Sequence, residues 1–583
     1  MNPADVKEEI LQAAQAYLET GEIPYLPYQG YQEYLESGNR VAFEAHYFAR
    51  RRMLVVLGLA YEMERKAAIK VLLEQVIWEI CNEYTWCLPA HLPIVDGQFS
   101  SQARHTVDLF AAETGQSLAE LFMLVGGDLS PVITERVLYE IDQRLFLPFE
   151  EQTLEWETKE NNWSAVIGGC LGMTALYVLP KKSERQLRMI KRLDTAMQSY
   201  LNSFGEDGAC VEGVGYWAYG FGYFLYYAQL LAEVLQEDTY LKQPKTRKIA
   251  AFPYYTMISP GHYIPFSDYS AIELPSGLVS YCYEHLGVAV PQLSGVSPLG
   301  FDPCYRFAHS YRNLYWHNEA ITRETNASFH HYFEQAQWFI AKDVQQDLFF
   351  AAKGGSNQES HNHLDVGHFV LGTTEELFLT DLGAGEYTKE YFDENMRYHY
   401  FPAAAISHSL PIINQHTQRA TAEEATVLQV DDQQFDLDLS AFYPKAAVTE
   451  YQRRFVVSQQ QVTIEDHFVF DEHQPKNLVV ENFITNIPPM VQDKTVQLMT
   501  KKARCVLGFT SDKIQIQPVT YQDHHGVQAQ AYLIQAEYAL EQTGEIKTTI
   551  KIKKGEKDAV LPCNDIDQCK KTPQLLSLLL VLR

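Results

Sequence analysis

RRFVVSQQQVTIEDHFVF (453–470) sets Phe455 and Val457 on one side of a polar SQQQ turn and Val462, Ile464, Phe468 and Phe470 on the other, each arm apolar at every second position. Period two is the signature of an extended chain with one buried face, and two such arms across a short polar turn read as an antiparallel hairpin. The pattern continues both ways. Upstream are QWFIAKD (337–343), DLFFAAK (347–353), HFVLGTTEELFLTDL (368–382) and ATVLQVDDQQFDLDLS (425–440). Downstream are NLVVENFITNI (477–487), KIQIQPVTY (513–521) and AYLIQAEY (531–538), and LLSLLLVLR (575–583) reads as a closing strand. Strand after strand with short polar turns predicts an antiparallel β-sandwich.

Before about residue 325 the period is helical. VAFEAHYFARRRMLVVLGLAYEM (41–63), AAIKVLLEQVIWEICNEY (67–84), PVITERVLYEIDQRLFLPF (131–149), SAVIGGCLGMTALYVL (164–179), QLRMIKRLDTAMQSYLNSF (186–204) and GYFLYYAQLLAEVLQ (222–236) repeat apolar residues at three and four. Pro89, Pro93, Gly97, Gly126, Gly127, Pro180, Gly205 and Gly208 mark the joints. Helices joined by short loops, with no strand between them, indicate an all-α layer. The expected organisation is a helical domain over 1–325 and an antiparallel β domain over 326–583.

A chain of 583 residues needs more than one core. Its net charge of −27 rules against a general nucleic-acid or polyanion binder, which carries a basic face, and favours short acidic oligosaccharides over long polymers. No apolar run reaches the ~20 residues of a membrane span. The start, MNPADVKEEILQAAQAYLE, has neither the basic nor the apolar region of a secretory signal, and the nine cysteines form no CxxC pair. Both features lead to an expectation of a reducing, cytoplasmic location. Oligomeric state is not legible.

Three motifs carry chemistry. ESHNHLDVGHFVL (359–371) holds His361 and His363 two apart; they share a face if the segment is extended and diverge if it turns. FLTDLGAG (378–385) and ISHSLPIIN (406–414) add Asp381 and His408. Two imidazoles and a carboxylate suit a zinc triad, although a single histidine at a strand end is more often an ordinary polar edge. KENNWSAVIGGCLG (159–172) opens an apolar helix with paired amides; Asn161 reads as an N-cap, an account that covers one asparagine well and Asn162 less well. DGACVEGVGYWAYGFGYF (207–224) is a glycine-rich turn bearing Glu212 and Tyr216, and reads equally as the lead into a core helix.

The order NNW, DGACVEGVGYW, SHNHLDVGHFVL, LTDLGAGEY, SHSLPIIN resembles the heparinase II/III family of polysaccharide lyases, and the resemblance extends to TVDLFAAETG (106–115) and the RRR-containing helix near residue 50. It implies an incomplete (α/α) toroid followed by an antiparallel β-sandwich, and cleavage of uronic-acid chains by β-elimination. It further implies that Asn162, Tyr216 and His361 are catalytic and that His363, Asp381 and His408 hold a divalent metal, usually zinc. Asn161, Trp163, Glu212, Arg397 and Tyr400 then line the substrate site, although Arg397 and Tyr400 are not fixed among Glu386, Tyr387, Tyr398 and His399. The implied partner is an acidic oligosaccharide. Elimination needs donors on the uronate carboxylate, a base for the C5 proton and an acid for the leaving oxygen. Tyr216 in both proton roles, and His361 as base with Tyr216 as acid, both remain open. A metal-dependent glycan hydrolase and a non-catalytic carbohydrate-binding protein are the alternatives.

Overall fold

The computed structural model describes residues 1–323, 327–359, 361–388, 390–393, 396–474 and 476–554. The expected strand at 575–583, Cys563 and Cys569 lie outside the described residues, as do 324–326, where the two halves were expected to meet. Apart from two small hairpins, helices organise the chain from Pro3 to Tyr315, and antiparallel strands from Phe329 to Lys554.

Leu109–Val125, Asn162–Val178 and Val214–Leu235 are helices buried on nearly all sides. In the second, every residue from Ser164 to Leu176 is buried, as only an inner helix can be. The intervening helix Glu184–Asn202 is amphipathic, with Met189, Ile190, Leu193, Met197, Tyr200 and Leu201 on one buried stripe. It forms the outer layer. This alternation of inner and outer helices is that of an (α/α) toroid. Glycines bring the Asn162 and Tyr216 helices together: a Cβ at Gly169 would lie 2.8 Å from the Tyr223 carbonyl oxygen, and one at Gly172 would lie 2.3 Å from the Tyr227 ring. The contacts advance together along both helices, so they run in the same direction and their N-termini emerge at one end.

The first sheet joins the halves. It has five antiparallel strands: Phe329–Phe333, Trp338–Asp343, Leu348–Lys353, Phe369–Gly372 and Leu377–Leu379. Side chains alternate across it. Trp338, Ile340, Phe349, Ala351 and Val370 enter the helical core. Their neighbours Phe339, Ala341, Phe350, Ala352, Phe369 and Leu371 face the sandwich, against Phe435, Leu437, Phe455 and Ile464 of an eight-stranded sheet. A four-stranded sheet completes this half, and in it Ile412–Ile413 pairs with Asn477–Thr485.

The hairpin at 453–470 forms as its sequence predicts, with Ser458 opposite Gln461. It also buries Arg453 fully, in an ion pair with Asp466 at 2.8 Å and with Glu481 at 3.2 Å. The same guanidinium donates to the carbonyls of Ser409 (2.8 Å) and Gly367 (3.2 Å), so it ties two loops to the sheet. Breaking such a pair leaves buried carboxylates without a partner. Arg453→Ala is therefore expected to lower the unfolding free energy by about 3–5 kcal/mol in denaturant titration, and a loss below about 1 kcal/mol would show that the pair contributes little.

Candidate functional site

Asn161 caps its helix, its side chain accepting from the Trp163 backbone N–H at 3.0 Å. That leaves Asn162 in the first turn, buried, its amide over Gly220: a Cβ there would meet Asn162 Oδ1 at 2.3 Å. Gly220 follows Tyr216 by one helical turn, so Asn162 and Tyr216 share a face of the inner layer. Trp163 sits against His91 at 5.1 Å between ring centroids. The Tyr216 helix begins at Val214, earlier than its apolar run suggested, with Gly213 at φ 104 turning the chain into it.

The histidine motif turns instead of extending, and strand begins only at Phe369. His361 has φ 58, the left-handed region that a β-carbon disfavours. The two histidines consequently diverge. His361 stacks on Tyr216, with centroids 4.4 Å apart and its Nδ1 3.3 Å from the Tyr216 hydroxyl. His363 points into the interior.

One carboxylate joins them. Asp268, in PFSDYS (265–270) of the helical half, bonds His361 Nδ1 at 2.9 Å and His363 Nε2 at 3.1 Å. It also accepts from the Tyr391 hydroxyl at 2.6 Å and pairs with Arg397 at 2.8 Å. Burial would raise its pKa, but the two imidazole hydrogen bonds and the nearby positive charges outweigh this and hold the carboxyl well below the usual range. An ionised carboxylate only accepts, so His361 carries its proton on Nδ1 and His363 on Nε2. His361 Nε2 and His363 Nδ1 are left with lone pairs. Nothing in the sequence around Asp268 marks it out.

The Tyr216 hydroxyl is 2.8 Å from that of Tyr387, whose ring lies 4.3 Å from His524 on a sandwich turn. Burial pushes the Tyr216 phenol well above its ordinary pKa, a shift opposed by the Tyr387 hydrogen bond and reinforced by Asp268 and Glu212. Tyr216 is thus protonated at neutral pH. Arg397 differs from its expected place: its guanidinium is taken up by Asp268 and by the Asn362 carbonyl (2.9 Å), so it anchors the loop from within. The Tyr400 hydroxyl is engaged by Thr388 at 2.7 Å.

Behind His361, one ligand atom each from His363, Asp365, Asp381 and His408 lies within 4.8 Å of the others, all buried. His408 Nδ1 donates to the Ala404 carbonyl at 3.0 Å, directing the Nε2 lone pair to His363 Nδ1, 3.3 Å away. Asp381 Oδ2 is buried without a hydrogen-bond partner. Two inward lone pairs and an orphan carboxylate oxygen fit a metal ion, and these residues can hold one. Asp365 also pairs with the buried Lys353 at 2.9 Å. His368 stands 3.4 Å from Asp381, but its Nδ1 accepts from the Ser409 N–H, which fixes its proton on Nε2 and makes it a donor. Asn482 holds the His408 carbonyl at 2.8 Å.

No model of a known protein family matches the sequence, and no curated protein matches it. Solved structures do. Heparinase III superposes at TM-score 0.60 and 12% identity, covering 87% of this chain and 77% of that one. Heparan sulfate lyase HepC from Pedobacter heparinus does so at 0.60 and 11%, covering 94% and 89%. The chain has the heparinase III fold. Chondroitin AC lyase from Streptomyces coelicolor A3, solved with chondroitin sulphate, is more distant, at 0.52 and 9%, covering 94% and 79%. Among the described residues, no helix is long and apolar enough to cross a membrane.

Two outcomes follow from this geometry. Asp268→Asn removes the charge and one of the two accepting oxygens that orient His361 and His363, and divalent-metal affinity is expected to fall by ~10–100-fold in metal titrations; unchanged affinity would show that Asp268 does not orient the ligand. Glu359 lies two residues before His361, and burial lifts its carboxyl to about 7 against the pull of Lys353. The folded chain keeps a proton that the unfolded chain releases at lower pH, so this contribution to stability is lost as pH rises toward about 7. Glu359→Gln is expected to flatten that loss in unfolding measurements across the range, and parallel curves would show an ionised carboxylate in the fold.

Proposed function

We propose that the protein is a lyase that cleaves uronic-acid-containing oligosaccharides by β-elimination. The observation that carries this reading is the meeting of Tyr216 and His361, 145 residues apart, with ring centroids at 4.4 Å and complementary proton states. The fold shared with polysaccharide lyases supports it.

The Asn162 amide hydrogen-bonds the uronate carboxylate and stabilises charge that develops as C5 loses its proton. His361 Nε2 takes that proton, since Asp268 holds the other ring nitrogen protonated. The C5 electron pair becomes the C4–C5 double bond, the C4–O bond breaks, and the leaving oxygen takes the Tyr216 hydroxyl proton. Tyr387 hydrogen-bonds the resulting phenolate. The buried, protonated phenol supports this assignment of His361 as base and Tyr216 as acid. Trp163 and Glu212 border the same end of the helical layer. His363, Asp381 and His408, with Asp365 beside them, would hold a divalent ion, for which two imidazoles and a carboxylate suit zinc. Bound there, it would help hold the loop that carries His361.

A metal-dependent hydrolase is the weaker reading, because His363, Asp365 and His408 are fully buried and offer a glycosidic bond no approach. The test is ultraviolet absorbance during incubation with uronic-acid oligosaccharides. A new chromophore is expected from the wild type, with turnover reduced ~10²–10⁴-fold in Tyr216→Phe and His361→Ala. Shortened sugars without the chromophore would establish hydrolysis instead.

A further inference from the structure

Among the described residues, the cations nearest the site are held in ion pairs. Arg397 is paired with Asp268 at 2.8 Å and Lys353 with Asp365 at 2.9 Å. Arg306, stacked on Tyr219 in the inner helical layer, is held by Glu113 at 2.9 Å and Asp302 at 2.8 Å. Lys159, over the Trp163 ring, is paired with Glu155 at 2.9 Å. Arg397, Lys353 and Arg306 are therefore neutralised inside the protein before a ligand arrives, while Lys159 and Glu155 form an exposed pair at its edge. What the described site offers instead is neutral: the Asn162 amide, the Tyr216 and Tyr387 hydroxyls, and aromatic surfaces. One of these is Phe392, 51% exposed and edge-on to His361 at 6.1 Å between centroids. The chain as a whole carries −27.

We infer that the substrate is an unsulfated uronide, recognised by one carboxylate, its hydroxyls and its ring faces, and that sulfate esters are selected against. The inference rests on the elimination reading above. An amide and two hydroxyls can satisfy a single carboxylate. A sulfate ester adds a permanent charge on each sugar, and desolvating it without a cationic partner is unfavourable. Pulling Arg397 or Lys353 away to serve it would leave Asp268 or Asp365 buried and unpaired, so the internal pairs act as a filter on ligand charge. Uncharged sugar faces lose nothing on aromatic surfaces such as Phe392 and Trp163.

The experiment uses matched oligosaccharides of one backbone, with and without sulfate esters, on the full-length protein. kcat/KM from the unsaturated-product absorbance is expected to favour the unsulfated member by at least about tenfold, a difference one unpartnered charge can supply. Raising the salt concentration is expected to leave kcat/KM on that member flat or increased, because no basic cleft is being screened. A sulfated chain cleaved as well or better, or a ~10-fold fall of kcat/KM with salt, would overturn the inference and leave the lyase reading intact. Absence of the chromophore from every chain would overturn elimination itself. Calorimetric binding of the same pairs to Tyr216→Phe would then decide the charge preference alone: tighter unsulfated binding supports it, and tighter sulfated binding overturns it.

Discussion

The buried carboxylate of Asp268 ties the site together, because it is bonded at once to His361, His363, Tyr391 and Arg397. Its own segment belongs to the helical half, where Ser267 donates to the Val211 carbonyl shortly before the Tyr216 helix. All four partners belong to the sandwich half. The direction of His361 and the tautomer of His363 are thus set by one group, which adds to the first sheet's hold on the two halves. A buried anion persists only when enough donors surround it. Here those donors are the groups that chemistry and metal binding require.

Around that hub, close approach of the backbone does the rest. Gly383, at φ 66, lets the strand-end loop pass so near Tyr269 that a Cβ would lie 2.3 Å from its carbonyl oxygen, and the neighbouring Ala384 N–H bonds that same carbonyl at 2.8 Å. Gly220 makes the space that the Asn162 amide fills. Arg453 serves the sandwich as Asp268 serves the junction, tying the Gly367 and Ser409 loops to one guanidinium. Buried ion pairs of this kind contribute more to a unique arrangement than to net stability.

Much of the architecture was legible because it is periodic. The strands at 337–343, 347–353 and 453–470 and the helices at 41–63 and 164–179 fall within a few residues of their expected limits. The period cannot say where a helix starts among glycines, and so the first turns of the Tyr216 helix read as loop. Site residues clustered in sequence, such as His361, His363 and Asp365, could be picked out, but their divergence depends on a left-handed backbone at His361 that the residue type does not announce. Asp268 and His524 were invisible for a different reason. Each sits in an ordinary polar loop, FSDYS or QDHHG, and its meaning arises only when distant segments pack against it. Arg397 looked like a ligand-facing cation because a sequence does not reveal which charges are consumed internally.

The depth of the His363, Asp381 and His408 cluster has a kinetic side. Among the described residues, His363, Asp365 and His408 are fully buried, so an ion must pass packed side chains to reach or leave them. Exchange would proceed at the pace of local opening, which in well-packed β structure approaches that of global unfolding. An ion acquired as the sandwich closes would be retained through later swings in free metal. Metal content would then record the conditions under which each molecule folded more faithfully than those in which it works.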